Sequence, residues 1–224
     1  RVVAITVTGR EIPQAVQLTD LRVVRVRRAV TNRELELLEK LLRLEALDLG
    51  RVSLREESSV SSNGEGANVE IQIPDLPKLC GLNLFGQAFS ADGLGNVPAV
   101  EVLELSYTNI GDDGAKTLSD LRHLRWLFLS NTALTDKGFQ YVGHMENLEH
   151  LHLNKTAVGD AGLSELSNAP HLRVLGLSCT NVTDDSVKQL GRQRNLTSLD
   201  VRVSGITPSG LAELRNALPH CDIQ

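Results

Sequence analysis

LRWLFLSNTALTDKGFQYV (residues 124–142), LEHLHLNKTAVGDAGLSEL (residues 148–166) and LRVLGLSCTNVTDDSVKQL (residues 172–190) are three copies of one pattern, starting 24 residues apart. The pattern extends from Val100 to Ile206 and aligns like residues in columns. Two leucine columns and one threonine column are Leu103, Leu127, Leu151, Leu175 and Leu199; Leu105, Leu129, Leu153, Leu177 and Val201; and Thr108, Thr132, Thr156, Thr180 and Ser204. A period of this length is typical of a solenoid, in which each repeat buries its apolar face against its neighbours.

Each repeat predicts one short strand and one short helix. The central Leu-x-Leu alternates with period two, as a strand does, and the Thr-Asp or Gly-Asp pair that follows is typical of a helix start. Thr135 and Thr183 are therefore predicted N-caps. We expect the apolar column on the helical side to point inward; it comprises Leu118, Val142, Leu166, Leu190 and Leu214.

The same frame continues towards the N-terminus with less regular spacing. We count about nine strands, and the capping box Thr31-x-x-Glu34 predicts a helix between the second and the third. A polar run over residues 55–68 predicts a loop insertion. The chain is thus predicted to be a single domain over residues 1–224, with irregular repeats over 1–78, regular repeats over 79–206 and a capping repeat over 207–224.

The repeat pattern resembles the leucine-rich-repeat superfamily. More narrowly, it is similar to cysteine-containing, ribonuclease-inhibitor-like repeats of planctomycete-type bacteria, which the ending from Thr207 to Ile223 also resembles. Pro208 stands where the repeats have a helix-start Asp, and Ser186 stands where they have Gly. The resemblance implies an α/β leucine-rich-repeat solenoid, a right-handed arc with a parallel sheet on its concave face and short helices on its convex face. It also implies ligand or protein recognition on that sheet.

The strand residues between the leucines should line the exposed sheet face, where packing constrains them little. The chain has seven aromatic residues (one Trp, two Tyr and four Phe), and three fall on this face beside two histidines. We predict a hot spot for a protein partner here, because buried aromatic anchors dominate interface energies. The alternative is that these are incidental large side chains. The predicted contact residues are Trp126, Phe128, His150, His152, Phe85, Glu104, Asn154, Arg25 and Arg27.

Other residues of the sequence invite further site assignments. His150 and His152 invite a metal interpretation, but zinc needs three or four ligands and a third is not clearly supplied. The column Asp112, Asp136, Asp160 and Asp184 is better explained by helix capping than by cation binding. Arg25 and Arg27 allow an anionic partner region, although nearby glutamates favour a solvated, partly neutralised surface. Nucleic acid is not expected, because aromatic and basic residues do not interleave.

Composition and motifs narrow the function class. The net charge is −5, and no apolar run approaches the roughly 20 residues that cross a bilayer. The three cysteines are expected to be reduced, which favours the cytoplasm, although the compartment stays open because Arg1 lies inside an apparent strand and the native start is expected upstream. No catalytic or cofactor motif is present, so we expect no enzyme and no cofactor. The prediction is a monomeric protein-recognition module; a scaffold or a substrate adaptor remains the alternative.

Overall fold

A computed structural model describes residues 3–54, 70–166 and 170–224. In these residues, ten parallel strands form one sheet, and each strand pairs with the next strand of that sheet along the chain. The strands are β1 (Val3–Val7), β2 (Leu21–Val26), β3 (Ala46–Asp48), β4 (Gly81–Asn83), β5 (Val102–Glu104), β6 (Trp126–Phe128), β7 (His150–His152), β8 (Val174–Gly176), β9 (Ser198–Asp200) and β10 (Asp222–Ile223). This architecture is the predicted α/β solenoid.

Helical segments lie in most of the connections between these strands and cover one side of the sheet; the described part of the connection from β3 to β4 has none. The α-helices are α1 (Ile12–Ala15), α2 (Asn32–Glu36), α3 (Asp112–Leu118), α4 (Asp136–Val142), α5 (Asp160–Ser164), α6 (Val187–Leu190) and α7 (Pro208–Ala217). The 3-10 segments of the described ranges span Gly9–Glu11, Leu37–Lys40, Ala91–Asn96 and Asp184–Ser186. No helix in the described ranges is long and apolar enough to cross a membrane.

The core lies between the sheet and the helices. Leu103, Leu127 and Leu151 pair with one another across β5, β6 and β7, and all three are buried. The helical column from Leu118 to Leu214 is buried as well, as its spacing predicted. Each repeat therefore contributes leucines from both layers, and burial of this continuous apolar surface is the main force that holds the stack together.

The threonine column closes the turn that follows each strand. Thr108, Thr156 and Thr180 each donate a hydroxyl hydrogen bond to the carbonyl three residues earlier, at 2.6–2.7 Å. Thr132 and Ser204 do the same. The residue before each of them has a left-handed backbone, with φ between 56° and 61°; these residues are Tyr107, Asn131, Lys155, Cys179 and Val203. The column is structural, as the sequence indicated.

The aspartate column links neighbouring repeats. Asp160 is the first residue of α5, but its carboxylate accepts hydrogen bonds from the Thr183 amide at 2.9 Å and the Thr183 hydroxyl at 2.6 Å, one repeat further on. Asp112 and Asp184 bind the next repeat's threonine in the same way. The aspartates thus cap the following repeat, which refines the capping that the sequence predicted.

We call these bonds between repeats the aspartate ladder. They also explain why Gly138 and Gly162 occupy one column and why Ser186 is the exception in it. A Cβ added at Gly138 or Gly162 would come within 2.5 Å of the preceding repeat's aspartate oxygen. Ser186 occupies the corresponding position one repeat later, and its hydroxyl donates a hydrogen bond to Asp160. Glycine or a hydrogen-bonding serine therefore fits at this position because the aspartate of the preceding repeat lies directly against it.

The two ends of the repeat array differ in detail from the sequence prediction. The sheet has ten strands rather than about nine, because Asp222–Ile223 adds β10 beside β9. A separate parallel pair joins Ala29–Val30 to Ser53–Leu54. The capping box of Thr31 and Glu34 begins α2 as predicted, and Thr207 caps α7 although Pro208 follows it. The predicted insertion over 55–68 lies outside the described residues.

Candidate functional site

Two rows of side chains cross the sheet on the side away from the helices, which we call the inner face. The register of the strand pairs from β1 to β9 matches the prediction. The first row is Ala4, Val23, Ala46, Gly81, Val102, Trp126, His150, Val174 and Ser198. The second row is Thr6, Arg25, Asp48, Asn83, Glu104, Phe128, His152, Gly176 and Asp200. Neighbours in a row stand about 4.8 Å apart, close enough for their side chains to touch.

Two aromatic–imidazole pairs lie at the centre of this face. The Trp126 and His150 rings have centroids 4.3 Å apart, and the Phe128 and His152 rings are stacked at 4.9 Å with an interplanar angle of 13°. Trp126 remains 40% exposed, and Val102 beside it is 39% exposed. Four of the sequence-predicted hot-spot residues therefore form two ring pairs on this face, and Trp126 is partly open to solvent. We call these four residues together with Val102 and Glu104 the inner-face patch.

Burial changes the titration of both histidines. It lowers the pKa of His150, an effect that Arg173 reinforces and Glu149 opposes. It also lowers the pKa of His152, with His150 adding to the effect and Asp200 opposing it. Both pKa values therefore lie below the ordinary 6.5, so the rings are predominantly neutral at pH 7. The patch consequently presents aromatic and neutral imidazole surface, with Glu104 at its border.

Phe85 belongs to a different cluster from the one the sequence indicated. Its ring contacts Tyr107, with centroids 5.0 Å apart, and the Arg51 guanidinium carbon lies 4.7 Å above it. Tyr107 and Arg51 were not predicted site residues. Both have left-handed backbones at the turn that follows a strand, a position that period-two alternation does not describe. The sequence does mark the position of Tyr107, which stands immediately before the threonine column. In the structure Tyr107 is 50% exposed.

Glu104 and Asn154 both have structural roles at strand ends. The Glu104 carboxylate accepts a hydrogen bond of 2.7 Å from the Ser106 amide, and Asn154 accepts one of 2.9 Å from the Ser178 amide. Asp48, Asn83 and Asp200 bind the amide two residues onward, just as Glu104 does. Phe128 occupies the same row and cannot make this bond, so the patch replaces a local hydrogen bond with an aromatic surface.

Arg25 and Arg27 lie on β2 and just beyond its end, four strands from Trp126, and do not join the patch. Asp48 on the next strand pairs with both: its carboxylate is 2.9 Å from Arg27 Nη2 and 3.9 Å from Arg25 Nε. The sequence suggested that nearby glutamates partly neutralise the charge of Arg25 and Arg27. In the structure Asp48 does so. The basic end of the sheet is an ion-paired surface, and surface pairs of this kind contribute little to stability.

The geometry of the described residues does not indicate a metal site or a reactive thiol. Within residues 3–54, 70–166 and 170–224, no group of three or more His, Cys, Asp or Glu side chains is arranged to hold a metal ion. Cys80, Cys179 and Cys221 form no disulfide. Burial raises the pKa of Cys80 and of Cys221, with nearby carboxylates adding to the effect, which keeps these thiols protonated and weakly nucleophilic.

Comparisons with known proteins agree with this repeat architecture. Residues 99–119, 144–167 and 168–191 match a family model described as leucine-rich repeat. No curated protein matches the sequence. The fold is a leucine-rich-repeat solenoid, and the three matched segments, which cover less than half of the chain, are similar to leucine-rich repeats. Domains of this kind generally mediate protein–protein interactions.

Solved structures with the same fold are distant in sequence. An internalin (inlF) from Listeria monocytogenes has a TM-score of 0.67 at 20% identity, covering 92% of this chain and 54% of its own. Internalin C2 of the same species has a TM-score of 0.62 at 17% identity, covering 96% and 92%. A structure of the mouse RP105/MD-1 complex has a TM-score of 0.61 at 16% identity. The match covers 88% of this chain and 37% of the matched chain. The chain thus spans about half of the inlF structure, and identities this low show the fold alone.

Proposed function

We propose that the chain is a non-enzymatic recognition module that binds a protein partner on its inner face, through Trp126, Phe128, His150 and His152. One observation carries this proposal: the only tryptophan of the sequence is 40% exposed on a sheet face in contact with His150, and a second aromatic–imidazole pair, Phe128 and His152, lies on the same face. An exposed apolar patch of this kind typically marks a contact site on a protein surface.

The composition of the patch favours a protein over other ligands. Trp is enriched at interface hot spots, and interface centres are depleted of charge. The patch fits that description, since burial lowers the pKa of both histidines and keeps them predominantly neutral at pH 7. Among the described residues, those of the two inner-face rows other than Gly176 are half-buried or exposed along the sheet, as a partner of protein size requires. The complex between RP105 and MD-1 involves a structural neighbour of this fold and is compatible with such a role.

The remaining details of the proposal come from the sequence. We propose that the module acts as a monomer and a single domain, with its three scattered thiols reduced, and without cofactor or catalysis. Phe85, Glu104, Asn154, Arg25 and Arg27 complete the proposed contact surface. Phe85 would contribute through its cluster with Tyr107 and Arg51, at the edge of the sheet beyond the strand ends.

The test compares capture from a lysate of the source organism by wild type and by a Trp126→Ala/Phe128→Ala double variant. Loss of two hot-spot aromatic residues typically costs more than about 2 kcal/mol each, so we expect capture to fall at least tenfold. Both residues lie on the exposed side of the sheet, and the variant should therefore keep its fold by far-UV circular dichroism.

The control is Val203→Ala, which removes a side chain that is 81% exposed away from the patch. It should capture the partner as wild type does. Leu127 stands between Trp126 and Phe128 in β6 but is buried in the core. Leu127→Asp should therefore unfold the chain, because it buries an unpaired charge. Equal capture by wild type and the double variant would contradict the proposal. Capture by neither would favour the scaffold alternative, and a captured protease or modifying enzyme would favour the adaptor.

A further inference from the structure

Glu104 differs from the other carboxylates in the second row of the inner face. Asp48 is paired with Arg25 and Arg27, and Asp200 with Arg202 at 2.8 Å. No cation in the described part of the chain forms an ion pair with Glu104, whose neighbours in the row are the uncharged Asn83 and Phe128. One of its oxygens accepts the Ser106 amide, and the other has no donor among the described residues. The patch is thus bordered by one negative charge without a cation of its own.

The space beside Glu104 is open because Gly81 has no side chain. Gly81 pairs with Val102 in the first row, and its neighbour on the other side is Ala46. Its φ is not positive, and an added Cβ would meet only the Ala46 Cβ, at an ordinary 3.6 Å. The fold therefore tolerates a side chain at this position. The result is a low area over Gly81 and Ala46, bordered by Val102 and diagonally by Glu104.

We propose that this area receives a lysine or arginine side chain of the partner protein, with its cationic end bound to Glu104. The inference rests on the proposed function, and names the chemistry that the same patch recognises. Long basic side chains bury their apolar stems while the charge stays at a polar border, so the stem would pack against Val102 and Trp126. A carboxylate beside partly buried apolar groups forms a stronger charge-assisted hydrogen bond than one in open water.

The experiment uses an array of random 12-residue peptides, probed with the full chain. Peptides bound by wild type but not by Trp126→Ala define the ligands of the patch. Their affinities are then measured for wild type, Glu104→Gln and Glu213→Gln. The amide oxygen of the substituted side chain in Glu104→Gln can still accept the Ser106 hydrogen bond, and Glu213→Gln changes the net charge equally on the exposed side of α7. Trp126 is the only tryptophan, so its fluorescence reports binding directly in all three proteins.

We expect the bound peptides to be enriched in Lys or Arg at one position. Glu104→Gln should weaken binding about tenfold, and replacing the enriched residue with a neutral one should have the same effect, with no further loss when the two changes are combined. Glu213→Gln should bind as wild type does. Gly81→Leu fills the space over Gly81 and should also weaken binding, while circular dichroism stays unchanged.

Two other outcomes would separate this inference from the proposed function. Trp126-dependent peptides without enrichment in Lys or Arg, or with equal affinity for wild type and Glu104→Gln, would overturn the cation site and leave the recognition surface standing. An array in which wild type binds no peptide in a Trp126-dependent manner would overturn both.

Discussion

His150 and His152 make the stability of the protein depend on pH. Burial is the main cause that holds the pKa of both rings below 6.5 in the folded state. Between the lowered values and about 6.5, the unfolded chain therefore binds more protons than the folded protein. The free energy of unfolding has its full contribution from these rings above about pH 6.5, and loses it as the pH falls through the folded pKa values.

The prediction is tested by urea unfolding of wild type and His150→Gln/His152→Gln between pH 7.5 and 5, followed by far-UV circular dichroism. The difference between the two proteins removes the contributions of the carboxylates, which also titrate in acid. We expect wild type to lose more stability than the variant on acidification. His123→Gln/His171→Gln, which replaces two exposed loop histidines, controls for the loss of imidazoles in general. Parallel pH profiles for wild type and the inner-face variant would contradict the prediction.

At the scale of the strand and the turn, the sequence was sufficient to predict which residues share a row. The 24-residue period aligns equivalent positions, and alternation within Leu-x-Leu separates the core from the inner face. Trp126 beside His150 and Phe128 beside His152 follow from these two regularities alone. The core columns were equally predictable, because every repeat must bury the same positions against its neighbours.

Contacts between residues of different columns of the repeat were not predictable from the period. A period shows that Asp112 and Asp160 are equivalent, but not that each carboxylate reaches the threonine of the next repeat. Phe85 and Tyr107 meet because Tyr107 has a left-handed backbone at the turn after β5, which redirects its side chain away from strict alternation. The strand β10 was missed because two residues carry too little pattern to be recognised.

The aspartate ladder predicts a stability effect that a simple helix cap would not have. Burial acts to raise the pKa of Asp160, but hydrogen bonds from Ser186 and Thr183 outweigh it, and the net direction is lower. Asp160→Ala removes an acceptor for two hydroxyls and one amide in the following repeat. We expect it to lower the free energy of unfolding by about 2–3 kcal/mol, with a smaller loss for Asp160→Asn, which keeps one oxygen acceptor.

Asp113→Ala is the matched control, because Asp113 also lies in the first turn of a helix but is exposed and has no hydrogen bond to the next repeat in the described structure. Its loss should cost less than about 1 kcal/mol. Urea unfolding monitored by circular dichroism measures all three variants. Equal effects at Asp113 and Asp160 would mean that the charge acts on its own helix, and that the bonds between repeats contribute nothing.

At the scale of the whole molecule, stability depends on contacts between adjacent repeats. Leucines of both layers and the aspartate bonds join each repeat only to its neighbours, so the free energy of the stack is close to a sum over interfaces. The inner face contributes little to this sum, since its side chains are half-buried or exposed. Changes at the inner-face patch should therefore affect binding without unfolding the stack, whereas changes at an end of the stack should affect folding and association.

Removal of residues 207–224 tests this view of the molecule. The segment contains α7, its C-cap Leu218 and β10; its Leu214, Leu218 and Ile223 are buried, α7 packs against α6, and β10 pairs with β9. Without it, apolar residues of α6 and an unpaired strand edge would face solvent, and both favour association. We expect the shortened chain to unfold at lower urea concentration than the full chain, and to elute as larger species in size-exclusion chromatography with light scattering. The opposite result would be a shortened chain that stays monomeric and keeps the urea midpoint of the full chain. It would mean that the preceding repeat is stable without this cover, and would contradict a free energy of unfolding that is a sum over repeat interfaces.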